Sequence, residues 1–197
     1  MMRRLPIIPT VFVLAAVGVM LALGFWQLDR RAQKEAMLAR YAAAQTISAE
    51  VPWPANPAQE ELALFRRTTI DCRVEGKDSP LAGYDRKGTV GWAHAVTCVL
   101  PGGARAEVVL GWAKDLAERQ WTGGTVSGVI APGAGKSVRL IADPPLAGLA
   151  ASALPDPKTI PNNHWSYAIQ WFLFAGVALV IYALALRKRL AARGDEG

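Results

Sequence analysis

Cysteine and histidine are scarce in this 197-residue chain, with two of each. Cys72 and Cys98 form no CxxC or CxxxC pair, which leaves a dedicated copper or zinc centre without support. GxSxG and HExxH patterns are also missing, and with them the usual hydrolase and zinc-peptidase arrangements. Gly133-Ala134-Gly135-Lys136-Ser137 has the tail of a phosphate-binding loop, but Ile130 stands where the first glycine is required. The VRLIADPP that follows reads as a strand rather than a helix, so this segment is a hairpin turn. Charge is missing from two long runs, Leu5–Leu28 and Tyr167–Leu186. Each is long enough to cross a hydrocarbon core of about 30 Å as a helix.

The second run is the clearer span. Trp165, Tyr167 and Trp171 crowd one end, where amphipathic rings sit at headgroup level, and Arg187, Lys188 and Arg189 close the other. Asn162 or Asn163 suits the N-cap, which puts His164 in the first turn. Two roles are open to His164: a neutral imidazole that ligates a metal, or an interfacial anchor. The first run follows Arg3 and Arg4. Ala22-Leu23-Gly24 resembles a signal-peptidase site, but the apolar stretch is longer than a signal core and continues into Phe25-Trp26, so it reads as a retained span. Gly18 and Ala22 offer a small-residue face for close approach of a helix or flat ligand. The basic clusters at the two termini put both ends in the cytoplasm and residues 30–163 outside, against the weaker opposing signal of Arg30, Arg31 and Lys34. Net charge is +6, yet removing the residues outside the spans at the two termini leaves 16 basic against 14 acidic side chains. The basicity belongs to membrane flanks and is no nucleic-acid footprint.

Between the spans, Leu28–Gln45 lacks Pro and Gly and is rich in helix formers, so the first helix should continue as a stalk. Trp26, Arg30 and Lys34 form one stripe on it. Pro52, Pro54 and Pro57 then predict an extended connection. Strands are expected over 64–74, 90–100, 106–113, 125–130 and 137–142, separated by Gly-rich turns. His94 shares a strand face with Trp92 and Val96 and reads as a core or rim residue. Cys72 and Cys98 lie on apolar strand faces, either paired across neighbouring strands or buried separately. The expected fold is two transmembrane α-helices flanking a mainly-β extracytoplasmic domain, a small antiparallel barrel or sandwich. Its parts are a cytoplasmic N-terminus (1–5), first span (6–28), stalk and Pro-rich linker (29–61), β domain (62–142), Pro/Ala-rich linker (143–163), second span (164–186) and basic cytoplasmic tail (187–197).

Several motifs carry a family resemblance. Gly24-Phe25-Trp26-Gln27 with Arg30 and Lys34 resembles the end of the first span in the surfeit locus protein one family. Asn162-Asn163-His164 followed by Tyr167-Ala168-Ile169-Gln170-Trp171-Phe172 is similar to that family's approach to its second span. Phe65-Arg66-Arg67, Gly83-Tyr84 and Val108-Val109-Leu110-Gly111-Trp112 are similar to its domain motifs, except that Leu110 stands where the family usually has arginine. The resemblance implies a non-enzymatic assembly factor for cytochrome c oxidase in the bacterial inner membrane, which binds haem a and assists its insertion into the catalytic subunit. It implies His164 as the iron ligand with Asn163 beside it, while Arg30 and Arg31 at the same interface suit the haem propionates or anionic headgroups. Implied partners are the oxidase catalytic subunit, other assembly factors, haem a synthesis enzymes and membrane lipid. The alternatives are a haem-free scaffold for the same assembly and an unrelated membrane-anchored periplasmic enzyme.

Overall fold

The computed structural model describes residues 6–135 and 137–192. Arg3, Arg4 and Lys136, used above for topology and motif reading, and residues 193–197 of the expected tail lie outside the described residues. The chain divides into two compact units, one from Met1–Met37 with Pro161–Gly197 and the other Leu38–Ile160.

The first unit is a helix pair. Helix α1 (Ile7–Gln45) and helix α3 (His164–Ala192) are each long and apolar enough to cross a membrane, with mean hydropathies of 2.5 and 2.2 over their best windows. Their outward faces are apolar: Ile8, Phe12, Leu173 and Ile181 are all exposed. In water such faces would be costly, whereas in lipid they cost nothing. The helices run antiparallel, because Thr10 meets Tyr182 through their hydroxyls while Gln27 meets His164. These two contacts are 17 residues apart on α1, about 26 Å at the helical rise. Between them the seam is apolar and small, with Val17, Gly24, Ala168 and Ala175 buried. The close approach falls at Gly24, where an added Cβ would lie 2.4 Å from the Phe172 ring. Gly18 and Ala22 do not face α3, since nothing lies within 4 Å of a Cβ at Gly18 and Ala22 is exposed. A small residue permits contact only where the helix phase turns it toward its neighbour.

In the second unit five strands close a barrel: β1 (Arg67–Tyr84), β2 (Val90–Val99), β3 (Arg105–Ala113), β4 (Gly123–Pro132) and β5 (Val138–Ala142), in the order β1-β2-β3-β5-β4. Closure rather than sandwich packing is what the sequence left open, and closure leaves no free sheet edge. All pairings are antiparallel except β3 with β5, which insert side by side in parallel. The first six residues of β1 alternate inward and outward, and Ile70, Cys72, Val96, Cys98, Val108, Leu110, Val126 and Leu140 fill the interior. Cys72 and Cys98 are joined in a disulfide, with Cα atoms 5.0 Å apart.

Two elements differ from the sequence expectation. Strand β1 does not stop near Val74 but runs to Tyr84 through a bulge between Glu75 and Ser79, made possible by Gly76 at φ +89°. The Gly76-Lys77-Asp78-Ser79-Pro80 run is therefore a bent strand. Pro57 does not extend the linker; it opens a short helix α2 (Pro57–Ala63), since proline suits the first helical position and Asn56 caps it by accepting from the Gln59 amide at 3.0 Å. Phe65, at φ +66°, turns the chain from α2 into β1 with its ring buried 4.8 Å from Tyr41 on the stalk end of α1.

Candidate functional site

His164 is the first residue of α3. Its Nδ1 lies 2.7 Å from Oε1 of Gln27 on α1. An amide oxygen only accepts, so Nδ1–H donates, and in the neutral ring the lone pair is then on Nε2. Asn163 takes the N-cap position, its carbonyl accepting the Tyr167 amide at 3.3 Å, and its side chain is exposed. Oδ1 of Asn162 is buried without a partner among the described residues.

Arg31 lies on the same helix pair, its guanidinium 4.8 Å from the centre of the Trp165 ring and its Nε donating to Glu35 at 2.7 Å. Arg30 stacks 5.6 Å from the Trp26 ring and donates to Gln33 at 2.9 Å. The two arginines thus belong to different stripes. Arg31 is tied through Trp165 to the His164 end of α3, while Arg30 sits on the Trp26 side. The Arg31–Glu35 ion pair joins two solvent-exposed side chains, so it is worth at most about 1 kcal/mol.

His94 is not available for ligation. It is fully enclosed in the barrel, with Nδ1 2.6 Å from Oδ2 of Asp78 and Nε2 3.2 Å from the Asp115 carbonyl. The bulge in β1 is what turns Asp78 inward to meet it. The cysteines are consumed by the disulfide. Among the described residues no group of three or more His, Cys, Asp or Glu side chains could cage a metal ion. Among the described residues, His164 alone has an imidazole nitrogen without a hydrogen-bond partner.

Gln27 was not singled out as a functional residue by sequence reasoning. The available signal was its position in Gly24-Phe25-Trp26-Gln27, one turn beyond the seam glycine and one turn before Arg31, all on one α1 face. That signal is silent about its partner, because His164 is 137 residues away.

The pattern of the SURF1 family matches residues 14–176, most of the chain. The chain belongs to the SURF1 family. SURF1 members are known as assembly factors rather than enzymes, and membership is consistent with a role in oxidase assembly. The comparison with curated proteins returns no match. The match to the SURF1 family begins inside α1 and ends inside α3, so it takes in both Gln27 and His164. Leu110, which precedes Gly111-Trp112, is fully buried in the barrel core with Val108 and Leu140. In this SURF1 chain that position does packing and presents no charge. Gly111 next to it admits no side chain, since a Cβ there would lie 2.5 Å from Leu149 and 2.7 Å from the Ala150 carbonyl.

Proposed function

We propose that this protein binds haem a through Nε2 of His164 and holds it at the outer membrane boundary while it is inserted into the catalytic subunit of cytochrome c oxidase. The observation that carries the reading is the engaged Nδ1 and bare Nε2 of an imidazole at the mouth of the helix pair. The donor set fits a haem better than a free ion, because a macrocycle brings four iron ligands of its own and asks the protein for one or two more. Bound haem a would supply the redox-active centre that the oxidase needs, and this chain would supply only its holding. Its apolar body and farnesyl tail favour the lipid-facing surface of α1 and α3, and its propionates favour the interfacial Arg31 and Arg30. Asn163 stands beside the ligand as helix cap.

The disulfide supports an oxidising compartment for the barrel, and Arg187, Lys188 and Arg189 support a cytoplasmic end for α3. Together they favour a multi-pass protein of a bacterial inner membrane with a periplasmic domain, acting with the oxidase catalytic subunit, other assembly factors and the enzymes that make haem a. The test is purification from cells that make haem a. The wild-type protein should carry a haem a spectrum, and His164→Ala should insert at the same level yet lose or alter it. A His164→Ala protein with full haem content and an unchanged spectrum would end the ligand reading. A colourless wild-type protein, with haem-deficient oxidase in a deletion strain, would replace it with the haem-free scaffold.

A further inference from the structure

We infer that Gln27 is the positioning residue for His164: its amide oxygen selects the Nδ1–H tautomer, aims Nε2 away from α1, and sets how tightly the imidazole holds a metal centre. The inference rests on the haem-binding reading for its purpose, though its geometry stands on the 2.7 Å contact alone.

The argument starts from the two states of a neutral imidazole. With no partner, either nitrogen can carry the proton and the ring can turn about its side-chain torsions, so the lone pair has no fixed direction. Gln27 removes both freedoms. Its backbone is fixed on α1 by the seam, where Gly24 one turn earlier lets Phe172 pack against the helix and Phe25 meets the same ring at 5.4 Å. The Gln27 side chain is thereby presented to the first turn of α3, and His164 points its proton-bearing nitrogen at it. Metal-bound histidines characteristically donate their second nitrogen in this way, and losing that partner typically costs 10–100-fold in affinity.

The choice of an amide over a carboxylate has a consequence. A carboxylate would draw the Nδ1 proton toward itself, make the ring a stronger donor and hold iron more firmly. A neutral amide orients the ring with less added basicity. For a protein that must release what it holds, orientation without tight retention is the useful combination. Gln27 therefore tunes release as well as capture.

The experiment uses the full-length protein in detergent, labelled with ¹⁵N-histidine. Only two histidines are present, so His94 and His164 are readily distinguished. In the haem-free wild type, His164 should show a protonated Nδ1 and a bare Nε2; a bare Nδ1 would overturn the inference whatever the protein binds. Gln27→Leu should mix the two tautomers and weaken haem a binding 10–100-fold. Unchanged affinity with Nδ1–H retained would also overturn it. Gln27→Glu, which keeps an acceptor in place, should restore affinity, raise the iron–histidine stretching frequency and lower the haem reduction potential. A Gln27→Glu protein no better than Gln27→Leu would count against positioning. Failure of the haem reading is separate: there His164→Ala binds haem like the wild type, while the tautomer measurement still decides the role of Gln27.

Discussion

His94 and His164 are the same side chain in opposite surroundings, and the difference lies in what faces each nitrogen. A backbone carbonyl can only accept, so His94 donates through Nε2 to Asp115, and its Nδ1 shares a proton with the Asp78 carboxylate. Both groups have no exposed side-chain surface. Oδ2 of Asp78 also accepts the Arg119 amide at 3.0 Å, so the pair pins the segment between β3 and β4 to the barrel. Removing one member leaves the other buried and unpaired. Asp78→Ala should therefore destabilise the domain by about 3 kcal/mol, read as a lowered urea midpoint. The same variant should leave the haem spectrum unchanged, because His94 is fully buried within the barrel, out of reach of a haem at the helix pair. A loss of haem in a well-folded Asp78→Ala protein would contradict that assignment.

At the scale of elements, the helix pair and the barrel are closed by different devices. The α1–α3 seam depends on Gly24, where any Cβ must displace the Phe172 ring. Gly24→Val should push the helices apart one turn from Gln27 and His164, and so weaken haem binding. Gly18→Val, with open space around its Cβ, should not. Equal effects at the two glycines would mean that the seam lies elsewhere. The barrel is fastened by Cys72–Cys98, which closes a loop of sequence separation 26. In the chain-entropy account a loop of that size stabilises by about 3.5 kcal/mol. The double Cys72→Ser, Cys98→Ser variant should lower the unfolding midpoint accordingly, and a reductant should have the same effect on the wild type.

For the whole molecule, one acid joins distant parts of the barrel unit. Asp143, just past β5, accepts from Arg67 at the start of β1 at 3.1 Å and from Arg86 in the β1–β2 turn. Burial alone would push its carboxyl up, but the bonds from Arg67 and Arg86 and their charge outweigh it and hold it below its ordinary value of 3.8. Asp85 is lowered chiefly by the Thr89 amide and Asp115 chiefly by the Ala117 amide, in both cases against a smaller opposing effect of burial. A lowered folded value means that the stabilisation is complete above the ordinary carboxylate value and disappears as pH falls through the folded one. The urea midpoint should thus be flat at neutral pH and drop below pH of about 4. Asp143→Asn should be less stable at pH 7 and show a shallower acid decline; an unchanged decline would place the effect on other carboxylates. Topology is tested at the same scale. Alkaline phosphatase fused in the β4–β5 turn near Ala134 should be active, and fused after Arg193 inactive, while the reverse pattern would invert the protein.

The two spans were legible in the sequence because their signal is local: an uncharged run, aromatic rings at one end and Arg187-Lys188-Arg189 at the other need no distant partner. The β character of the domain was legible for the same reason, from alternation and Gly-rich turns. The length of β1 was not, because only pairing with β2 carries the strand past Gly76 as a bulge. Proline at 57 breaks or begins a helix depending on whether Asn56 can cap it, and the tertiary fold decided for the second. Barrel closure, with β5 parallel to β3, is a matter of which strands meet, and periodicity carries no such information. The site divides along the same line. His164 was marked by its neighbours Asn162, Asn163 and Trp165. Gln27 was hidden, because helix phase and the glycine at 24 decide which α1 side chain meets α3, and that contact spans 137 residues.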